Sequence, residues 1–240
     1  MIHTNATNAV TEQALKRVPL IRPKWARSFW QGIKHLDLVT AIRSECEQRG
    51  WATKEAVFSL SKDRADMAGT FRIEIPSVEM PDDQRLELGL LTSNAMRRTL
   101  KLVVGTRVFV CMNGMVTGDV VLCKKHTTGF DLPEALHVAM DEYLEKVGRI
   151  PMMVKKMKDH TLIEAEVYEV LVETGRQGVM PWSLIGQVDW AYRNPAFTDF
   201  KPRTSWSLLN AFTQVVKKEP PLRQMDQINE FRQLLPVGRN

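Results

Sequence analysis

Between Val57 and Cys123 the apolar residues alternate with polar ones or run in short β-type stretches, and after Gly129 they recur at helical spacing. That single change of period limits the chain more than any other feature. Val57–Ser61, Thr70–Ile75, Leu86–Leu90, Leu100–Val104, Val108–Cys111 and Val120–Cys123 read as strands, because period-two alternation fits a half-buried pleat. Asp63–Gly69 and Pro76–Asp83 supply turn or loop chemistry between the first three. Gly105, Gly114, Gly118 and Gly129 read as further turns, and Asn113-Gly114 is a tight-turn dipeptide.

The helical part predicts one element from Leu132 to Val147, opened by Pro133 in its first turn, and a second from Pro151 to Glu173. Ser205–Val216 and Leu222–Leu235 follow, separated by Pro220-Pro221. Trp182, Trp190 and Trp206 fall at helix starts or on stripes and are expected to pack inside. Before the strands, Leu36, Val39, Ile42 and Cys46 form a helical stripe stopped by Gly50, and residues 8–17 suit a short helix. Strands first and helices afterwards predict an α+β fold: an antiparallel-rich sheet over about residues 55–126, followed by a helical layer. The expected organisation is a basic aromatic N-terminal arm over residues 1–35 and a single α+β domain over residues 36–240.

A chain of 240 residues can bury a sizeable core. No apolar run approaches the roughly 18 residues a membrane helix needs. The N-terminus lacks an apolar signal core, so the expected location is cytoplasmic. Three widely spaced cysteines, Cys46, Cys111 and Cys123, suit reduced thiols better than a disulfide framework. The net charge is +5, and residues 1–34 hold six basic side chains against one acid, Glu12, so this segment carries the whole excess.

That segment interleaves Lys16, Arg17, Arg22, Lys24 and Arg27 with Trp25, Phe29 and Trp30. Cations that track phosphates and flat rings that stack on bases are the components of a single-stranded nucleic-acid site. The same rings could anchor the arm to the core while the cations face water. Further basic pairs occur at Arg97-Arg98 and Lys124-Lys125, with Lys101 nearby, and at Lys155-Lys156-Lys158. The candidate interface is Arg22, Lys24, Trp25, Arg27, Trp30, Arg97, Arg98, Lys124 and Lys125. It requires the fold to bring these positions to one surface.

Two other chemistries are weaker on spacing. Cys111, Cys123, His126 and Cys46 form a possible zinc set, but only Cys123 and His126 have knuckle spacing, so no metal is assigned. A thiol enzyme would use Cys111 with His126 and Asp119 or Asn113, and would need an accessible, electropositive setting for the sulfur. Paired catalytic carboxylates, a P-loop and a dinucleotide fingerprint are all missing from the sequence. Neither catalysis nor a cofactor is expected.

Four segments add a resemblance. LGLLTSN at 88–94, VFVCMNGMV at 108–116, KKHTTG at 124–129 and SWSLLNAFTQVVKK at 205–218 follow in order. Together they resemble a phage- and plasmid-related family labelled domain of unknown function nine-three-two, over about residues 55–220. The family pattern has a strand ending near a Ser-Asn pair, a strand reading roughly VCxNG, a His-Thr-Gly exit and a helix with an Asn-Ala core. The resemblance implies a mobile-element accessory product and carries no catalytic residues over. The expected function is therefore nucleic-acid binding, most concretely to single-stranded DNA, with oligomers open. A phage protein that binds and inhibits a host defence component is the alternative, and an enzyme using Cys111 and His126 is the third.

Overall fold

The computed structural model describes residues 9–22, 31–80, 84–95, 97–108, 114–125, 127–217, 219 and 221–238. Its fold is α+β. Five long strands, β2 (Ala52–Leu60), β3 (Asp66–Glu74), β4 (Gln84–Ser93), β5 (Leu100–Val108) and β6 (Gly114–Lys124), form an antiparallel meander. A two-residue strand, β1 (Ala9–Val10), pairs with Ser59 and Phe58 at the β2 edge. Alternation puts Met67, Phe71 and Ile73 of β3 in register with Thr92, Leu88 and Leu86 of β4. β4 is the central strand, and Leu86 through Ser93 are all buried, Glu87 included.

The strand boundaries differ from the expected ones where glycine suggested turns. Gly105 and Gly118 lie inside β5 and β6, and Asp66 to Gly69 belong to β3 rather than to a loop. The β5–β6 register slips between Leu102 and Gly105, where three steps along β5 face six along β6. The extra residues therefore lie in β6, and Gly118 falls in the bulged stretch, the other common use of a strand glycine. Residues 109–113, with most of the expected Val108–Cys111 strand and Asn113 of the expected turn, lie outside the described residues. Gly129 does take a positive φ, 86°, as a turn glycine does.

Helices α1 (Glu12–Leu15) and α2 (His35–Gln48) precede the long strands. The short helix expected over residues 8–17 is instead strand β1 followed by the single turn α1, whose Leu15 joins the core. After the sheet come α3 (Leu132–Asp159), α4 (Glu164–Arg176), α5 (Trp182–Arg193), α6 (Ser205–Val216) and α7 (Pro221–Leu234). Asp131 caps α3, its carboxylate accepting from the Glu134 amide at 3.1 Å. α6 is the most enclosed, with Ser205 through Thr213 all buried, and its Phe212 ring stacks on Phe231 of α7 at 3.9 Å.

One expected break moves. α3 runs straight through Pro151 and ends at Asp159. A proline inside a helix removes one i→i−4 bond, but Val147, Ile150, Val154 and Met157 are buried on both sides of it and hold the helix in place. The chain leaves the helix at His160 because its backbone is used elsewhere. The Leu162 amide donates to the Arg203 carbonyl at 2.7 Å, and the Ser205 amide donates to the His160 carbonyl at 3.0 Å.

The tryptophan expectation holds for Trp206, which is buried, and fails for Trp182 and Trp190, 58% and 65% exposed. Trp182 instead lies across Gly175 of α4, where only a glycine leaves room for the indole. Among the described residues no helix is long and apolar enough to cross a membrane.

Candidate functional site

An antiparallel meander returns every second connection to the same end of its sheet. Here the β2–β3 turn (residues 61–65), the β4–β5 connection (residues 94–99) and the exit from β6 share one end. The register Asp66↔Ser93, Leu100↔Lys124 and Lys101↔Cys123 fixes their neighbourhood. That end therefore collects Lys62, Arg64, Arg97, Arg98, Lys101, Lys124 and Lys125 from positions up to 63 residues apart. All are exposed except the half-buried Lys101.

The Ser-Asn pair at the end of β4 holds this region together. The Ser93 hydroxyl accepts from the amides of Ala95 and Arg97 at 3.3 and 3.2 Å. The Asn94 amide donates to the Ala65 carbonyl at 2.9 Å, joining the two turns. The Asn94 side chain donates to the Pro19 carbonyl at 2.8 Å. With Val18 buried, this contact ties the segment carrying Lys16, Arg17 and Arg22 to the same end, all three exposed.

Two acids temper the charge. Asp63 pairs with Arg97 at 2.5 Å and Asp66 with Arg98 at 3.5 Å. The Ser61 hydroxyl, the Ala65 amide and Arg97 together draw the Asp63 carboxyl down to about 2. Arg97 and Arg98 thus brace the turns, which leaves Lys62, Arg64, Lys124 and Lys125 as the outward cations of these connections. The Lys155-Lys156-Lys158 group is elsewhere: it sits in the last turns of α3, about 35–40 Å along the helix axis from its start at Leu132.

Of the nine residues of the sequence-derived interface, Arg22, Arg97, Arg98, Lys124 and Lys125 are brought to this end. Lys24, Trp25, Arg27 and Trp30, with Phe29, lie outside the described residues. The sequence reading missed Lys62 and Arg64. Their signal was a short polar turn, Lys62-Asp63-Arg64, between two alternating runs, but nothing local said which other connections it would meet.

The thiol and metal candidates separate. Cys111, Asn113 and His126 lie outside the described residues, as does the Asp119 side chain. Cys123 is exposed, its thiol 3.6 Å from the Thr99 hydroxyl. Cys46 is fully buried on α2, and burial, with Glu45 beside it, pushes its thiol up to about 11. It is a core residue. Among the described residues no group of three or more His, Cys, Asp or Glu side chains is placed to hold a metal ion.

A family model described as Domain of unknown function (DUF932) matches residues 26–235. No curated protein and no solved structure matches the chain.

Proposed function

Given that the chain belongs to the domain of unknown function family DUF932, whose description names no reaction, we propose that it binds nucleic acid, with single-stranded DNA as the ligand and without catalysis. In this reading it is a cytoplasmic accessory protein of a phage or plasmid. One observation carries the proposal: cations from four separate segments meet at one end of the sheet, and among the described residues only Asp63 and Asp66 form ion pairs with them, although Asp131, Glu134 and Glu142 line a pocket beside Lys124. Clustered cations displace the counterions condensed on a phosphate backbone, and that release drives affinity.

The sequence beyond Arg22 adds what a purely basic surface lacks. Its next eight residues include Lys24, Trp25, Arg27 and Trp30, and a ring stacked on a base contributes about 1–3 kcal/mol. The cations would hold the backbone and the rings would hold bases, a combination that suits unpaired strands.

The test is titration of a labelled single-stranded oligonucleotide at low salt, followed by fluorescence anisotropy. Reversing Lys124 and Lys125 together to Glu should weaken binding at least about tenfold. The same reversal at Lys155 and Lys156, at the far end of α3, should change Kd by less than about twofold. Absence of binding at low salt, or equal loss from both double variants, would overturn the proposal.

A further inference from the structure

We propose that the cavity between α1 and the β2–β3 turn is a binding site for a phosphate monoester. Resting on the nucleic-acid reading, its source is the 5′-terminal phosphate of a bound strand. The cavity holds about 340 Å³ and is lined by Val10, Thr11, Gln13, Arg17, Leu60 and Arg64 among others. That volume is at the small end of ligand pockets. Leu60 closes β2 and Arg64 belongs to the adjoining turn, so the cavity opens beside the basic end.

What sets this cavity apart is two arginines and no acid. Several other arginines of this fold are answered by acids: Arg43 by Glu12, Arg49 by Glu45 and Asp141, Arg97 by Asp63, Arg193 by Glu164 and Asp189. Neither Arg17 nor Arg64 forms an ion pair with a described residue, and both are exposed. The nearest acid in sequence to Arg17 is Glu12, whose carboxylate takes both Nε and Nη2 of Arg43 at 3.1 and 2.8 Å. Two guanidiniums lining one cavity repel each other until an anion enters between them.

Both arginines are also held at their roots. Leu15 and Val18 are buried and leave Arg17 facing outward. Arg64 stands at φ 60°, the only described non-glycine residue with positive φ, a conformation that crowds the Cβ of any side chain against the following carbonyl oxygen. Its amide donates to the Ser61 carbonyl at 2.8 Å, and its carbonyl accepts from Nε2 of the buried His35 at 3.2 Å. A glycine or asparagine would take this backbone more cheaply, yet the position carries a guanidinium beside the cavity.

The ligand class follows from the donors. A monoester carries close to two negative charges and three terminal oxygens, and two forked guanidiniums match that dianion better than the single charge of an internal diester. Gln13 and Thr11 add neutral polar groups, and Val10 and Leu60 offer an apolar wall to the attached nucleoside.

The experiment compares an oligonucleotide bearing a 5′-phosphate with the same sequence ending in a 5′-hydroxyl, and adenosine 5′-monophosphate with adenosine, on the full chain. The phosphate should tighten binding about tenfold within a pair. Arg64→Gly should bring the paired ratio to about one while melting no lower than the parent, because glycine accepts the positive φ. Arg17→Gln, which leaves the turn untouched, should do the same. If the oligonucleotides bind equally well with and without the phosphate, and the nucleotide binds no better than the nucleoside, the cavity inference falls and the wider proposal stands. If neither oligonucleotide binds but the nucleotide is preferred and Arg64→Gly abolishes the preference, the cavity is a free-nucleotide site and the wider proposal falls. If no probe binds, both fall.

Discussion

Gly69 stands in β3 directly opposite Phe58 of β2, and a methyl group on its Cα would lie 2.6 Å from the Phe58 ring. The ring has little freedom to retreat, since it packs edge-on against Phe71 at 5.5 Å and is fully enclosed. Gly69→Ala should therefore destabilise the fold by about 1–3 kcal/mol through overpacking, read as a lower urea midpoint. Adding Phe58→Leu should recover part of the loss, and a midpoint unchanged by Gly69→Ala would refute the account. Glycine was legible here as a residue, but its purpose was not. In the sequence Gly69 reads as the end of a loop, and only its cross-strand partner shows that the missing side chain is the requirement.

At the scale of elements, α2 is joined to its neighbours by polar groups at both ends. Near its C-terminus Arg49 donates to Glu45 at 2.7 Å, to Asp141 of α3 at 2.5 Å and to the His137 carbonyl at 2.8 Å, while lying over Trp51. At its first residue, His35 donates to the β2–β3 turn through the Arg64 carbonyl. Its other ring nitrogen, Nδ1, is buried with no partner among the described residues. Burial lowers the His35 pKa below the usual 6.5, against the opposing pull of the Arg64 carbonyl and Asp66. The folded state thus holds neutral His35 more firmly than the unfolded chain does. Its contribution to stability is present above about pH 6.5 and is lost as the pH falls below it, where the unfolded chain binds the proton first. Urea midpoints should drop between pH 7.5 and 5.5, and His35→Gln should flatten that drop, since glutamine keeps the donor without titrating. An equal drop in both proteins would place the titration elsewhere. The α2 helix itself was readable from its stripe of Leu36, Val39, Ile42 and Cys46, although the structure buries Leu38 and leaves Leu36 half-buried. The tie to a turn 29 residues away was not, because nothing about a lone histidine names its distant partner.

For the molecule as a whole, the charge pattern has a measurable consequence. If the basic end neutralises about five or six phosphates of a single strand, log K should fall with log salt at a slope near −4. Reversing Lys124 and Lys125 should flatten that slope by about 1.4 besides weakening binding. A slope near −1 would mean that the cations gathered at this end do not act as a unit. Pairing within the protein limits the count: Arg97 and Arg98 are engaged by Asp63 and Asp66, although the sequence presents them as equals of Lys124 and Lys125.

The sequence by itself determined the order of strands then helices, most strand and helix centres, the buried stripes of α2, α3 and α6, and the basic excess of the first 34 residues. Each of these is a property of residues near one another along the chain, where side-chain period and local backbone preference act. Tertiary structure alone decided that α3 passes through Pro151, that Trp182 and Trp190 stay exposed while Trp206 is enclosed, and that Lys62, Arg64, Lys124 and Lys125 share one end of the sheet. Those outcomes depend on strand direction, register and packing against segments far away in sequence. No local period encodes which distant segment a residue will meet.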